Sequence, residues 1–188
     1  MSYSVGLYFD RLTETKIRAI WKEMAEAGVS DYLHQSANRP HFTLAIFTEI
    51  DLPKAKQALA EIAAAYPPLP VVFSYLGCFP ALKPDLFLGP TTTQSILTFH
   101  QTVNRRFTGL GQYPDFNYYL PGHWVPHCAL AMGIEPQKVN AGLDIARSQL
   151  TLPFTALIEE IGLIEFKPVR HLCNYPLGGY MKSSEDFS

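Results

Sequence analysis

Cysteine is scarce in this chain. Only Cys78, Cys128 and Cys173 occur among 188 residues. The number is odd and no metal-ligand spacing appears, so a disulfide framework and a zinc site are disfavoured and free thiols in a reducing compartment are expected. Long apolar runs are missing too. No window approaches the roughly 20 apolar residues of a membrane span, and the first ten residues lack the basic region and apolar stretch of a secretory signal. A cytoplasmic protein with no membrane partner is the expectation. Charge of one sign is also lacking. The formal net charge is −2, which argues against an extended nucleic-acid surface, although a few local donors suffice to hold a short nucleotide. A Gly-rich phosphate loop, a Ser-His-Asp order, a paired-carboxylate site and a run of metal ligands are all absent. Nucleotide hydrolases of those classes are disfavoured, and neither a metal nor a cofactor is expected.

What is present is an ordinary globular composition, 47% hydrophobic and 17% charged, with alternating strand and helix patterns. Apolar alternation predicts a strand over 4–9. A helix follows from Thr13 as N-cap, with Ile17, Ile20, Trp21 and Met24 at helical spacing and Gly28 as its stop. Residues 29–40 read as a polar loop and 41–48 as a strand. Asp51 and Pro53 open a second helix. Strands are predicted over 71–79 and 85–88, a third helix from Thr93, and a loop over 109–122. A strand over 124–132, a helix from Pro136, two closing strands over 154–166 and 169–175 with a turn at Lys167-Pro168, and a frayed tail over 181–188 complete the chain. The order is β-α-β-α-β, then β-α-β-α-β-β. This predicts one α+β domain over 1–188 in two lobes, about 1–80 and about 84–178.

Two segments nearly repeat each other. Pro40-His41-Phe42-Thr43-Leu44-Ala45 and Pro126-His127-Cys128-Ala129-Leu130-Ala131 both read P-H-x-[T/A]-L-A. On a strand, residues two apart share a face. His41 therefore projects with Thr43, and His127 with Ala129, while Phe42, Leu44, Cys128 and Leu130 anchor the other face. A histidine moves a proton near neutral pH, and a neighbouring hydroxyl can donate to a phosphate oxygen. Two such histidines suit chemistry in which one group takes a proton and the other gives one.

The duplicated motif resembles the twin H-x-[T/S]-x signature of the two-histidine (2H) phosphoesterase superfamily, which includes the 2′-5′ RNA ligase-like proteins and 2′,3′-cyclic nucleotide phosphodiesterases. The resemblance implies a bilobal fold with antiparallel sheets, two pseudo-symmetric lobes around a central groove. It implies metal-free hydrolysis of a 2′,3′-cyclic phosphate on a nucleotide or RNA end, with reverse 2′-5′ joining left open. His41 and His127 would be acid and base in an order the sequence leaves open, and Thr43 would hold the phosphate. Ala129 departs from the pattern, because a methyl group donates no hydrogen bond. His123, Tyr118, Tyr175 or a backbone N–H are the candidate substitutes, and Arg39 could pair with a second phosphate. Tyr32, Tyr113, Phe116, Tyr118 and Tyr119 could stack on a base or simply cover the core. Of the remaining histidines, His100 is expected in the core, while His34 and His171 could border the groove. The alternative is a non-catalytic nucleotide- or RNA-end-binding module, or a cleft adapted to another phosphorylated metabolite. A monomer is expected.

Overall fold

Among the described residues, seven strands build one antiparallel sheet whose order follows from a few long apolar segments. The computed structural model describes residues 2–115, 117–166 and 168–178. Phe116, Lys167 of the expected turn and the tail expected over 181–188 lie outside the described residues.

Strand β1 (Ser2–Phe9) is central and buried on both faces, as its Val5, Leu7 and Phe9 alternation and its small Ser4 and Gly6 require. It pairs with β2 (His41–Phe47) on one side and with β8 (Phe154–Phe166) on the other. The 13-residue β8 spans the sheet. Its first part pairs with β4 (Leu69–Phe79) and its second part with β9 (Arg170–Pro176). Beyond β4 come β5 (Asp85–Pro90) and β7 (Cys128–Ala131), giving the order β2-β1-β8-β4-β5-β7 with β9 on β8. The expected division at 80–84 does not divide the sheet: β4 pairs with β5 across it, and the C-terminal β8 pairs with the N-terminal β1.

Helices α1 (Arg11–Glu26), α3 (Leu52–Ala65), α4 (Gln94–Phe107) and α5 (Val139–Gln149) bury apolar stripes; Ile17, Ile20 and Met24 carry that of α1. The N-cap of α1 is Asp10, three residues before the expected Thr13. Asp10 accepts from the Thr13 N–H at 2.9 Å, from the Thr13 hydroxyl at 2.7 Å and from the Leu157 N–H at 2.9 Å, so one carboxylate starts the helix and ties it to β8. Asp51 and Thr93 cap α3 and α4 as their sequence positions predict. A short helix, α2 (Tyr32–Gln35), interrupts the loop expected over 29–40. Two short strands, β3 (Glu49–Ile50) and β6 (Gly111–Gln112), pair with each other and fasten the start of the long loop after α4. Pro136 opens a 3-10 turn, and α5 begins only at Val139.

The strand expected over 124–132 shrinks to β7, four residues long. Pro126 has no N–H for a ladder, and the backbone N–H groups of His123 and Trp124 turn back to the Leu120 carbonyl. His127 therefore lies immediately before its strand, whereas His41 is the first residue of β2.

Candidate active site

Each copy of the repeat uses its proline and histidine in the same way. Pro40 and Pro126 hold the residue before them extended, and the histidine ring folds back onto that residue's carbonyl. The His41 Nδ1–H donates to the Arg39 carbonyl at 2.6 Å, and the His127 Nδ1–H donates to the Val125 carbonyl at 2.8 Å. A bond at Nδ1 fixes the tautomer and leaves Nε2 as the free nitrogen.

The leucine that follows is also used identically. The pairing of β1 with β2 matches Gly6 to Thr43 and Val5 to Ala45, so Leu44 is an unpaired bulge residue. The pairing of β5 with β7 matches Phe87 to Ala129 and Leu86 to Ala131, so Leu130 is the bulge of the second copy. Bulges re-aim side chains and free carbonyls from the ladder. Two indoles collect the carbonyls just before them, each reaching from the opposite half of the chain. The Trp124 Nε1–H donates to the Thr43 carbonyl at 2.8 Å, and the Trp21 Nε1–H donates to the Ala129 carbonyl at 2.9 Å. Behind the first copy, the His100 ring stacks on Trp124 at 4.1 Å and 5°, with its Nε2 near the Leu44 and Tyr119 carbonyls at 3.2 and 2.8 Å. His100 is thus a core residue, as expected.

His41, Thr43, His127 and Ala129 line a single cavity of about 160 Å³, together with Ser4, Asn38 and Tyr119 among others. Both imidazoles are held below their ordinary range. For His41, burial lowers it most, the Arg39 carbonyl opposes this, and the nearby charges of His127, His171 and Arg39 lower it further. For His127, burial is again the largest cause, opposed by the Val125 carbonyl and the Asp85 carboxylate. Cys128 is fully buried at the edge of the first cavity, and desolvation, opposed by the His41 backbone, pushes its thiol up to about 12, so it stands as a core residue.

A second cavity, of about 460 Å³, opens beside the first and shares His127, Ala129, Tyr119 and Met132 with it. Its other walls include Phe79, Phe87, Tyr118, His123 and Trp124. Phe79 and Phe87 stack at 4.3 Å and meet the His127 ring at 4.9 and 5.5 Å. His123 and Tyr118 thus stand in the second cavity.

Two expected substrate residues are placed elsewhere. The Arg39 guanidinium is committed to Glu160, at 3.0 Å from each oxygen, and to Glu14 at 3.0 Å, which leaves it unavailable to a phosphate. Tyr175 pairs in register with the buried Ile161 and packs against the core, on the opposite sheet face from His41. The His171 Nε2 lies 3.1 Å from the Ala37 carbonyl and its ring 5.8 Å from Tyr8. Residue-type reasoning missed Ser4, whose hydroxyl is buried without a partner against the first cavity. Its place beside Gly6 on the face opposite Val5 and Leu7 is a signal the alternation does contain. The two tryptophan braces carry no local signal, because each acts on a segment more than 80 residues away.

The sequence model of the 2′-5′ RNA ligase superfamily matches residues 13–169. The chain belongs to this superfamily. Solved structures share the fold at low identity. They include TT0787 of Thermus thermophilus (15% identity, TM-score 0.58, covering 96% of this chain and 100% of that one). They also include Escherichia coli LigT complexed with 3′-AMP (15%, 0.56, 93% and 97%) and Kluyveromyces marxianus Usb1 (10%, 0.53, 94% and 98%). No curated protein sequence matched the chain. Among the described residues of this superfamily member, no helix is long and apolar enough to cross a membrane.

Proposed function

We infer that this chain is a metal-independent phosphodiesterase that opens a 2′,3′-cyclic phosphate on a nucleotide or RNA end. The observation that carries the reading is the pair of histidines in one cavity, each with Nδ1 fixed to a main-chain carbonyl and Nε2 left for substrate. In the reaction, the unprotonated Nε2 of one histidine takes a proton from water. The water oxygen bonds to phosphorus, the P–O bond to one ribose oxygen breaks, and the other histidine, as imidazolium, protonates that oxygen. A phosphomonoester results. The Thr43 hydroxyl donates to a non-bridging oxygen. The second cavity, with Tyr118, His123 and two stacked phenylalanines, takes the organic part of the substrate. LigT has been solved with 3′-AMP and with NADP+, which supports a nucleotide here. The same acid and base serve reverse 2′-5′ joining of RNA ends, and the protein acts as a cytoplasmic monomer.

Pseudo-symmetry supports this reading. When β1, β2 and β4 are matched to β5, β7 and β8, the order β2-β1-β8-β4-β5-β7 reads the same from either end. Each half then lends its third strand to the other, and the two motif strands occupy equivalent edges.

Incubation with 2′,3′-cyclic nucleotides in chelator tests the function. Wild type is expected to form phosphomonoester, and the His41→Ala/His127→Ala double variant to form it at least about a hundredfold more slowly. Equal rates for the two proteins would overturn the assignment. Ala129 with Phe87 opposite it favours one other reading, a non-catalytic nucleotide- or RNA-end-binding module. That reading requires calorimetric binding of a cyclic phosphate without any product.

A further inference from the structure

The two histidines are pinned to carbonyls of very different security. Resting on the reading of His41 as a proton carrier, we propose that Glu14, Arg39 and Glu160 form a positioning device that fixes the His41 ring through the Arg39 carbonyl. The Arg39 guanidinium is gripped on two edges. Its two terminal nitrogens meet the two Glu160 oxygens at 3.0 Å each, and its Nε–H donates to Glu14 Oε2 at 3.1 Å. Its face lies 4.6 Å from the centre of the Tyr8 ring, and Asn174 donates to Glu160 at 3.0 Å. Helix α1, strands β1, β8 and β9 and the approach to β2 thus converge on one residue. The three charged side chains are 23%, 18% and 30% exposed for Arg39, Glu14 and Glu160, well shielded from solvent for an ion network.

The Arg39 side chain is held at one end, and Pro40 restricts its backbone at the other. Its carbonyl therefore has one direction, and the His41 Nδ1–H meets it at 2.6 Å. In the second copy the same carbonyl belongs to Val125, an aliphatic residue 44% exposed. His127 is steadied instead by the edges of Phe79 and Phe87. Lysine cannot replace the arginine, because one ammonium does not reproduce a planar fork between two carboxylates. The groups facing His41 are Arg39, Tyr8, His127 and His171, so a change at Arg39 is read at the ring as tautomer and orientation as well as charge.

The test is imidazole 15N NMR on the full chain, with the His127 signals as internal reference and 2′,3′-cyclic nucleotide turnover alongside. Wild-type His41 is expected as the Nδ1–H form. In Arg39→Lys and Glu160→Gln the His41 signals move toward a tautomer mixture while those of His127 stay. In both variants kcat falls about tenfold with KM changed less than about twofold. Glu14→Gln, which leaves the two-oxygen grip of Glu160, gives an intermediate loss. An unchanged His41 tautomer in folded Arg39→Lys would overturn the proposal, as would equal movement of both histidines. Wild-type protein that turns over no cyclic phosphate would sink the proposed function instead, and the NMR comparison would still decide this one.

Discussion

The two copies of the repeat have the same backbone and different surroundings. In both, proline turns a histidine onto its own upstream carbonyl, a leucine bulges, and an indole from the other half takes the carbonyl before the bulge. Around that shared frame the first copy is polar. Thr43 faces Gly6 across the ladder, so its hydroxyl has room, and His41 leans on an ion network. The second copy is aromatic. Ala129 faces Phe87, and His127 sits against two phenyl edges. In the proposed reaction, proton transfer needs both histidines, whereas holding a phosphate needs only enough donors. The shared geometry lies at the two histidines, and the surroundings differ where the second copy forms the wall of the aromatic cavity.

The comparison breaks most completely at the shared element. His41→Ala and His127→Ala are each expected to lose about 10²- to 10⁴-fold in kcat, the range of a positioned acid or base, and the double variant to lose little more than either single one. A much smaller loss for one copy, measured in steady-state turnover, would show that the copies do not act as a pair. Next in size is the element that differs. Thr43→Ala turns the first copy into the second and should cost about tenfold to a hundredfold in kcat, the worth of one bond to a charged oxygen. Ala129→Ser should recover up to about tenfold. No gain there would place the phosphate wholly with the first copy.

Smaller effects come from the braces. Trp124→Phe and Trp21→Phe each remove the indole donor from a part-buried carbonyl, expected to cost about 1 kcal/mol in denaturant melts. Trp124→Phe should cost more, because His100 stacks on that ring. The smallest effect tests the aromatic wall. A Cβ on Gly77 would stand 2.2 Å from the nearest Phe87 ring atom, so Gly77→Ala should displace that ring and weaken nucleotide binding a few fold while leaving the phosphate contacts of Thr43. Binding calorimetry with nucleotide and with inorganic phosphate separates the two.

pH reads both copies at once. Burial lowers both imidazoles from 6.5, so the maximum of kcat/KM is expected on the acid side of that value. The sign for stability is opposite to that of a histidine with a charged partner. The unfolded chain protonates first, so stability present above pH 6.5 is lost as pH falls below it.

Much of this was legible before any coordinates. Strand alternation and helix caps are local, and Asp51, Thr93, Gly28 and the motif strand at 41–47 follow from residues a few positions apart. Thr13 failed as a cap because Asp10 lies three residues earlier and is also claimed by Leu157 N–H, a partner 147 positions away. The strand at 124–132 failed because one proline removes a ladder donor. Arg39 and Tyr175 were misplaced because a charge or a hydroxyl in a sequence does not say what else will compete for it. Glu160 claimed the first, and the core face of the sheet took the second.

The sequence by itself determined the chemistry available: two Pro-His turns, one hydroxyl between them, and strands and helices in a repeating order. These rest on interactions within a few residues, whose geometry is nearly fixed by the backbone. Tertiary structure alone decided that the two copies share one cavity, that each half lends a tryptophan to the other, and that the second wall is aromatic. Those outcomes depend on which distant groups satisfy a freed carbonyl or fill a space, and only packing of the whole chain sets that.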